Sequence, residues 1–220
     1  MSVIETLAKL DWLISSDQVA EHAGDLPELL RNRAVRTEFY SKLSDPGVLS
    51  ALHSAGCFRR GAGRIRGSLI PELEYLARTA AEEPELVSQI LSELRVLSPQ
   101  ERRLFLLVLK SLPAHVGVVF CPRVLRWVSD GRGLEVWQGG LAQYVLTLAH
   151  GGCVREAMML VRRAIGFESD QQGLGAPSTR LPAPWYESFV TEVVPSLSAA
   201  DGMGTLRLLC AVLDSCLSQL

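Results

Sequence analysis

Residues 71–94, PELEYLARTAAEEPELVSQILSEL, leave a folding chain few options. Leu73, Leu76, Ala77 and Ala80 recur at helical spacing, and Pro71 suits the first turn of a helix, where a missing N–H is no loss. Glu72, Glu74 and Arg78 fall on the opposite, polar side, with Glu74 four residues ahead of Arg78, the favourable order for a surface pair. The pattern stops at Glu82-Glu83-Pro84, because proline disfavours helix in the residue before it and can open the next helix. Leu86, Val87, Ile90, Leu91 and Leu94 then form a second stripe. Either helix alone is too short to persist in water. Joined by a tight corner, the two make an antiparallel hairpin with one apolar side uncovered, so the rest of the chain must supply its neighbours.

The flanking segments have the composition to do so. Val3, Leu7, Leu10 and Ile14 mark a first amphipathic helix, widened by Ile4 and Leu13, and residues 26–43 hold one or two more around Leu29, Leu30, Phe39, Tyr40 and Leu43. Asp45-Pro46 reads as an N-cap followed by proline at the first helical position, and Gly56 as the stop. Ser98-Pro99-Gln100-Glu101 is a capping box, and the LFLLVL run at 104–109 is apolar all round, which predicts burial on several sides. Residues 115–128 read as a helix interrupted at Pro122, and 129–133 as a turn. Stripes at 141–149 and 154–164 form an outgoing helix and its return about Gly151-Gly152. No segment alternates with period two, so the expected fold class is all-α. The expected organisation is a helical-repeat domain over 1–166, a polar Gly- and Pro-rich loop or linker over 167–184, and a last helix pair over 185–220 packed on the same array.

With 220 residues, 48% of them hydrophobic, and a formal net charge of −2, the chain has enough apolar surface for a real core. Near-neutrality argues against a generalist nucleic-acid binder. The start, MSVIETLAKLDWLISS, lacks the basic region and cleavage site of a secretory signal, and the 104–109 run is far too short to span a bilayer, so no membrane partner is expected. Cys57, Cys121, Cys153, Cys210 and Cys216 are odd in number and follow no framework spacing, which predicts free thiols in a reducing cytoplasm.

Chemistry-bearing patterns are sparse. His53 with Cys57, and His150 with Cys153, have the spacing of paired metal ligands, but a zinc site needs four ligands and neither pair has a partner motif. The sequence GAGRIRG lacks the lysine and the Ser/Thr of a phosphate loop, and no strand precedes it. No catalytic residues, metal site or cofactor are expected. One surface feature rises above the rest, a glycine-punctuated loop carrying Arg59, Arg60, Arg64 and Arg66. Arginine forks suit phosphates and carboxylates. Only Phe58 is at hand to stack a base, and the same charges also suit a solvated connector. Trp12, Trp137 and Trp185 are either anchors for a protein partner or core residues.

EYLARTAAEEPELVSQILSEL and QYVLTLAHGGCVREAMMLVRRA share one plan: a tyrosine, an apolar helix, a corner after Ala80 or Ala149, and a return helix. Residues 98–128 fit between them as a further pair. Two-helix units of roughly 35 to 45 residues characterise α-solenoids, and the chain resembles a short HEAT-like or armadillo-like array, with an irregular helical bundle as the alternative. More narrowly, Gly56, Phe58, Leu73, Tyr75, Leu76, Arg78, Ala80, Pro84, Glu85 and Val87 match a pattern that resembles the helical-repeat region of large bacterial proteins, some similar to multidomain ATPases or nucleases of defence systems. The resemblance implies a non-catalytic scaffolding module with a protein partner, as the N-terminal part of a larger bacterial protein. The alternative expectation is contact with nucleic acid or phosphate through the arginines of 59–66.

Overall fold

A computed structural model describes residues 2–59, 67–129, 140–165 and 189–217, those from 211 on by their backbone alone. All regular structure among the described residues is helical. The chain forms two compact units, Met1–Leu112 and Pro113–Leu220.

The first unit contains α1 (Val3–Ser15), α2 (Leu26–Leu29), α3 (Arg33–Lys42), α4 (Leu49–Ser54), α5 (Ile70–Thr79), α6 (Pro84–Glu93) and α7 (Pro99–Ser111). Their starts follow from local chemistry. Ser2 and Glu5 form a capping box at α1, and the Asn32 side chain accepts from the Ala34 N–H at 2.9 Å to cap α3. Asp45 accepts from the Gly47 N–H at 2.8 Å, starting a 3-10 turn over Pro46–Val48 that leads into α4. Prolines occupy the first turns of α5, α6 and α7. Helix α1 packs on α3, α3 on α5 and α5 on α7, while α4 packs on α6, which also returns onto α5. Phe39, Leu52, Leu73, Leu76, Ile90, Phe105 and Leu109 fill the space between them. The apolar run in α7 is buried at Phe105, Leu106, Val108 and Leu109 and half-buried at Leu104 and Leu107. Two expectations for α1 need correction: Val3, in its first turn, is 45% exposed, and Ile4 is 80% exposed, because α1 buries the stripe Thr6, Leu10 and Leu13, and two residues of helix rotate Ile4 about 200° away from Thr6.

The second unit contains α8 (Ala114–Gly117), a 3-10 turn over Val118–Phe120, α9 (Cys121–Ser129), α10 (Gly140–His150), α11 (Val154–Ile165), a π-turn over Phe189–Val193, α12 (Val194–Ala200) and α13 (Gly202–Leu217). The break expected at Pro122 falls at residues 118–120, and Pro122 sits in the first turn of α9, where proline is tolerated. Helix α8 packs on α10 and α10 on α12, while α9 packs on α11 and α11 on α13. Helices α10 and α11 form one hairpin, α12 and α13 another. Gly151 lies so close to Ala114 that any β-carbon there would collide with the alanine methyl, so glycine lets α10 reach α8. The segment 167–184 lies outside the described residues.

One device recurs in both units. Tyr75 in α5 and Tyr144 in α10 are fully buried, and their hydroxyls donate to backbone carbonyls earlier in the chain, Asp45 O at 2.7 Å and Gly117 O at 2.8 Å. Burial pushes both phenols well above their ordinary pKa.

Candidate functional site

Of the four loop arginines, the described residues include Arg59 alone; Arg60, Arg64 and Arg66 lie outside them, as do Trp137 and Trp185. Arg59 is half-exposed, and its Nε stands 3.2 Å from Glu93 Oε2 at the C-terminal end of α6. The other Glu93 oxygen is 3.0 Å from His53 Nε2, at the end of α4. Burial pushes the Glu93 carboxyl up, but the hydrogen bonds and charges of His53 and Arg59 outweigh it and hold it below the ordinary carboxylate range. Arg59 thus gives its Nε–H to Glu93 while half of its side chain stays exposed.

The segments on either side of the loop are anchored in the core. On the near side, Phe58 is buried with its ring 6.2 Å from Tyr40, whose own ring lies tilted against Tyr75 at 5.7 Å. The one aromatic beside the loop is therefore a core residue. On the far side, Gly67 has φ +102°, a conformation that favours glycine. The Ser68 carbonyl accepts from Arg36 Nη2 at 2.7 Å, the Ser68 hydroxyl donates to Glu101 Oε1 at 3.3 Å, and the Leu69 N–H donates to the same oxygen at 2.6 Å. Glu101 Oε2 accepts from the Ser98 N–H at 2.7 Å, completing the capping box of α7. Glu101 is fully buried, so one carboxylate both starts α7 and ties the 68–69 segment down on it.

Arg36 and Glu72 are each only 1% exposed, with Nε and Oε1 2.8 Å apart, a close ion pair not aligned as a hydrogen bond. Glu72 was expected on the solvent face of α5. It is instead in the core because α3 and α7 both pack on α5, and α3 brings Arg36 to it; a carboxylate can remain charged there only beside such a partner. Arg78, expected to pair with Glu74, turns instead to the end of α3, where Nη2 donates to the carbonyls of Tyr40 and Leu43. Cationic donors suit the exposed carbonyls of a helix C-terminus.

Where the 67–69 segment meets the start of α7, an open cleft of about 480 Å³ is lined by Gly67, Ser68, Val96, Leu97, Ser98 and Glu101. Val96 is 77% exposed, while Leu97 is 5% exposed. Exposed Arg95 and Arg103 flank these residues in the chain, and neither takes part in an ion pair among the described residues. Sequence reasoning missed this site. The capping box was visible, but the reach of Glu101 back to Ser68 and Leu69 has no sequence signature.

The two His–Cys pairs have a structural explanation. After α4 the N–H of Cys57 donates to Leu52 O at 3.0 Å and that of Gly56 to His53 O at 2.9 Å, with Gly56 at φ +81°. After α10 the N–H of Cys153 donates to Leu148 O at 2.8 Å and that of Gly152 to Ala149 O at 3.2 Å, with Gly152 at φ +82°. Both are Schellman endings, in which glycine supplies the left-handed turn and the next residue folds back over the helix. The spacing that suggests ligands is the spacing of a helix stop. No group of three or more His, Cys, Asp or Glu among the described residues is placed to hold a metal ion. Burial pushes the Cys121 thiol up to about 11, so it is protonated at neutral pH.

Comparison of the chain with family models, curated proteins and solved structures finds no match. No helix among the described residues is long and apolar enough to cross a membrane.

Proposed function

We propose that the chain is a non-catalytic helical-repeat module that binds a protein partner, with its hairpins stacked as a short HEAT-like solenoid. The observation that carries this reading is the order of helix packing. In the second unit α8, α10 and α12 form one row while α9, α11 and α13 form another; in the first, α1, α3, α5 and α7 pack in succession while α4 packs on α6. Contacts that skip one helix at each step are what stacked two-helix repeats produce, each burying the apolar face its neighbour leaves open. Tyr75 and Tyr144 support it, performing the same task at positions about two repeats of roughly 35 residues apart. Exposed apolar residues supply contact surface: Ile4 and Trp12, 80% and 52% exposed, stand eight residues apart on α1. Large amphipathic rings such as Trp12 are frequent anchors in protein interfaces.

A polyanion reading competes, supported by the half exposure of Arg59. It is weakened by Phe58, which is committed to the core. The protein-binding reading is tested by placing a photo-crosslinking amino acid at Trp12, at Val96 and at exposed Gln89 in the cells that express the chain. Discrete protein adducts at Trp12 or Val96, and none at Gln89, are expected. Absence of protein adducts from all three, or adducts to nucleic acid alone, would overturn it.

A further inference from the structure

We infer that the outer face of α1 receives a basic amphipathic helix from a protein partner. This rests on the protein-binding reading and names the chemistry of the partner. The face is a stripe of three exposed residues, Ile4, Ala8 and Trp12, four apart and so nearly in line along the helix. It lies opposite Thr6, Leu10 and Leu13, which α1 buries. Ile4 and Trp12 stand about 12 Å apart along the axis with only the methyl group of Ala8 between them, so a helix can cross there with a large apolar side chain on either side of it. Among the described residues no strand edge is open to an extended peptide, whereas a helix satisfies its own backbone groups. Trp12 is already positioned. Its ring meets that of His22 edge to face with centroids 6.4 Å apart, so little side-chain freedom remains to be lost on binding.

The edges of the stripe select the charge. Glu5 and Asp11 are exposed and stand about 60° round the helix on either side of Ala8, so each lines one edge. Glu5 accepts from the Ser2 N–H at 2.8 Å and takes part in no ion pair among the described residues. Asp11 shares Lys42 with Glu38, at 2.8 and 3.0 Å, so two carboxylates face one ammonium there. Residues 2–28 hold six acids against Lys9 as the one Lys or Arg, and Lys9 stands 4.0 Å from Asp25. Both edges therefore carry net negative charge beside an apolar stripe, which complements lysines or arginines flanking the apolar face of a partner helix. The exposed indole of Trp12 also attracts cations. A second copy fits poorly, because two α1 faces laid together, parallel or antiparallel, bring acid against acid along both edges.

The test is selection on the full chain from a displayed library of helical peptides, each with a leucine stripe and random residues on both sides of it. Winners should carry Lys or Arg beside the stripe, and synthetic copies should bind I4S and W12S about tenfold more weakly than the wild type. E5Q/D11N should weaken binding and flatten its dependence on salt. Glutamine in place of Glu5 still serves a capping box, and all four positions are exposed, so the variants should nearly keep the helix content and melting temperature of the wild type. A peptide of equal charge with its leucines exchanged for serine should bind about tenfold or more weakly, as loss of the apolar anchors requires. The inference is overturned by no enrichment, by neutral or acidic winners, by winners that bind I4S and W12S as tightly as the wild type, or by self-association of the full chain that I4S abolishes. Protein adducts at Trp12 or Val96 alongside any of these results would remove the basic-helix assignment and leave the protein-binding reading standing; loss of adducts everywhere would remove both.

Discussion

Arg36 is the residue on which the first unit most depends for its charge balance. Its guanidinium faces Glu72 from 2.8 Å and also holds the Ser68 carbonyl, joining α3 to α5 and to the segment that enters α5. Removing one member of a buried pair leaves the other charged and unpaired, so R36M should lower stability by about 3–5 kcal/mol in a denaturant titration. The double variant R36M/E72M should recover most of that loss, since an apolar replacement of both partners is often neutral. An R36M midpoint equal to that of the wild type would mean the pair is not buried as described. None of this was legible in the sequence. A charged residue at helical spacing is read as solvent-facing because ionisable side chains are so seldom buried, and the exception depends on a partner on another helix. Glu101 was half legible. Its cap was written in Ser98-Pro99-Gln100-Glu101, but its hold on Ser68 and Leu69 required two distant segments to meet.

At the scale of elements, local chemistry carried more of the information. Helix starts depend on a cap or proline within one turn, and such signals lie in adjacent residues, which is why the beginnings of α5, α6 and α7 could be read directly. Helix ends were legible at Gly56 and Gly152 for the same reason, though the His–Cys spacing around them mimicked ligand pairs. The fine division of 114–129 into two helices and a 3-10 turn was not legible, because Pro122 suits either a break or a start. The central hairpin provides the check. Leu76 on α5 and Ile90 on α6 are 0% and 1% exposed, so L76A and I90A should each cost about 2–5 kcal/mol. Unchanged denaturation midpoints in both variants would contradict the assignment of the hairpin faces.

For the whole molecule, the all-α class followed from periodicity, since apolar residues recur at helical spacing throughout and nowhere alternate. The order of helix packing did not follow, because it depends on which stripe meets which. The central functional claim is that the chain recognises a protein and that Arg59, Arg60, Arg64 and Arg66 are not a polyanion site. The most direct measurement is a titration of labelled single-stranded and duplex nucleic acid with the full chain across a range of salt concentrations. A polyanion site would reveal itself by affinity falling steeply with salt as neutralised phosphates release counterions. The expected result is no salt-sensitive binding by the wild type. A salt-dependent complex that is lost when all four arginines are replaced by alanine, with helix content and melting temperature nearly unchanged, would contradict the claim.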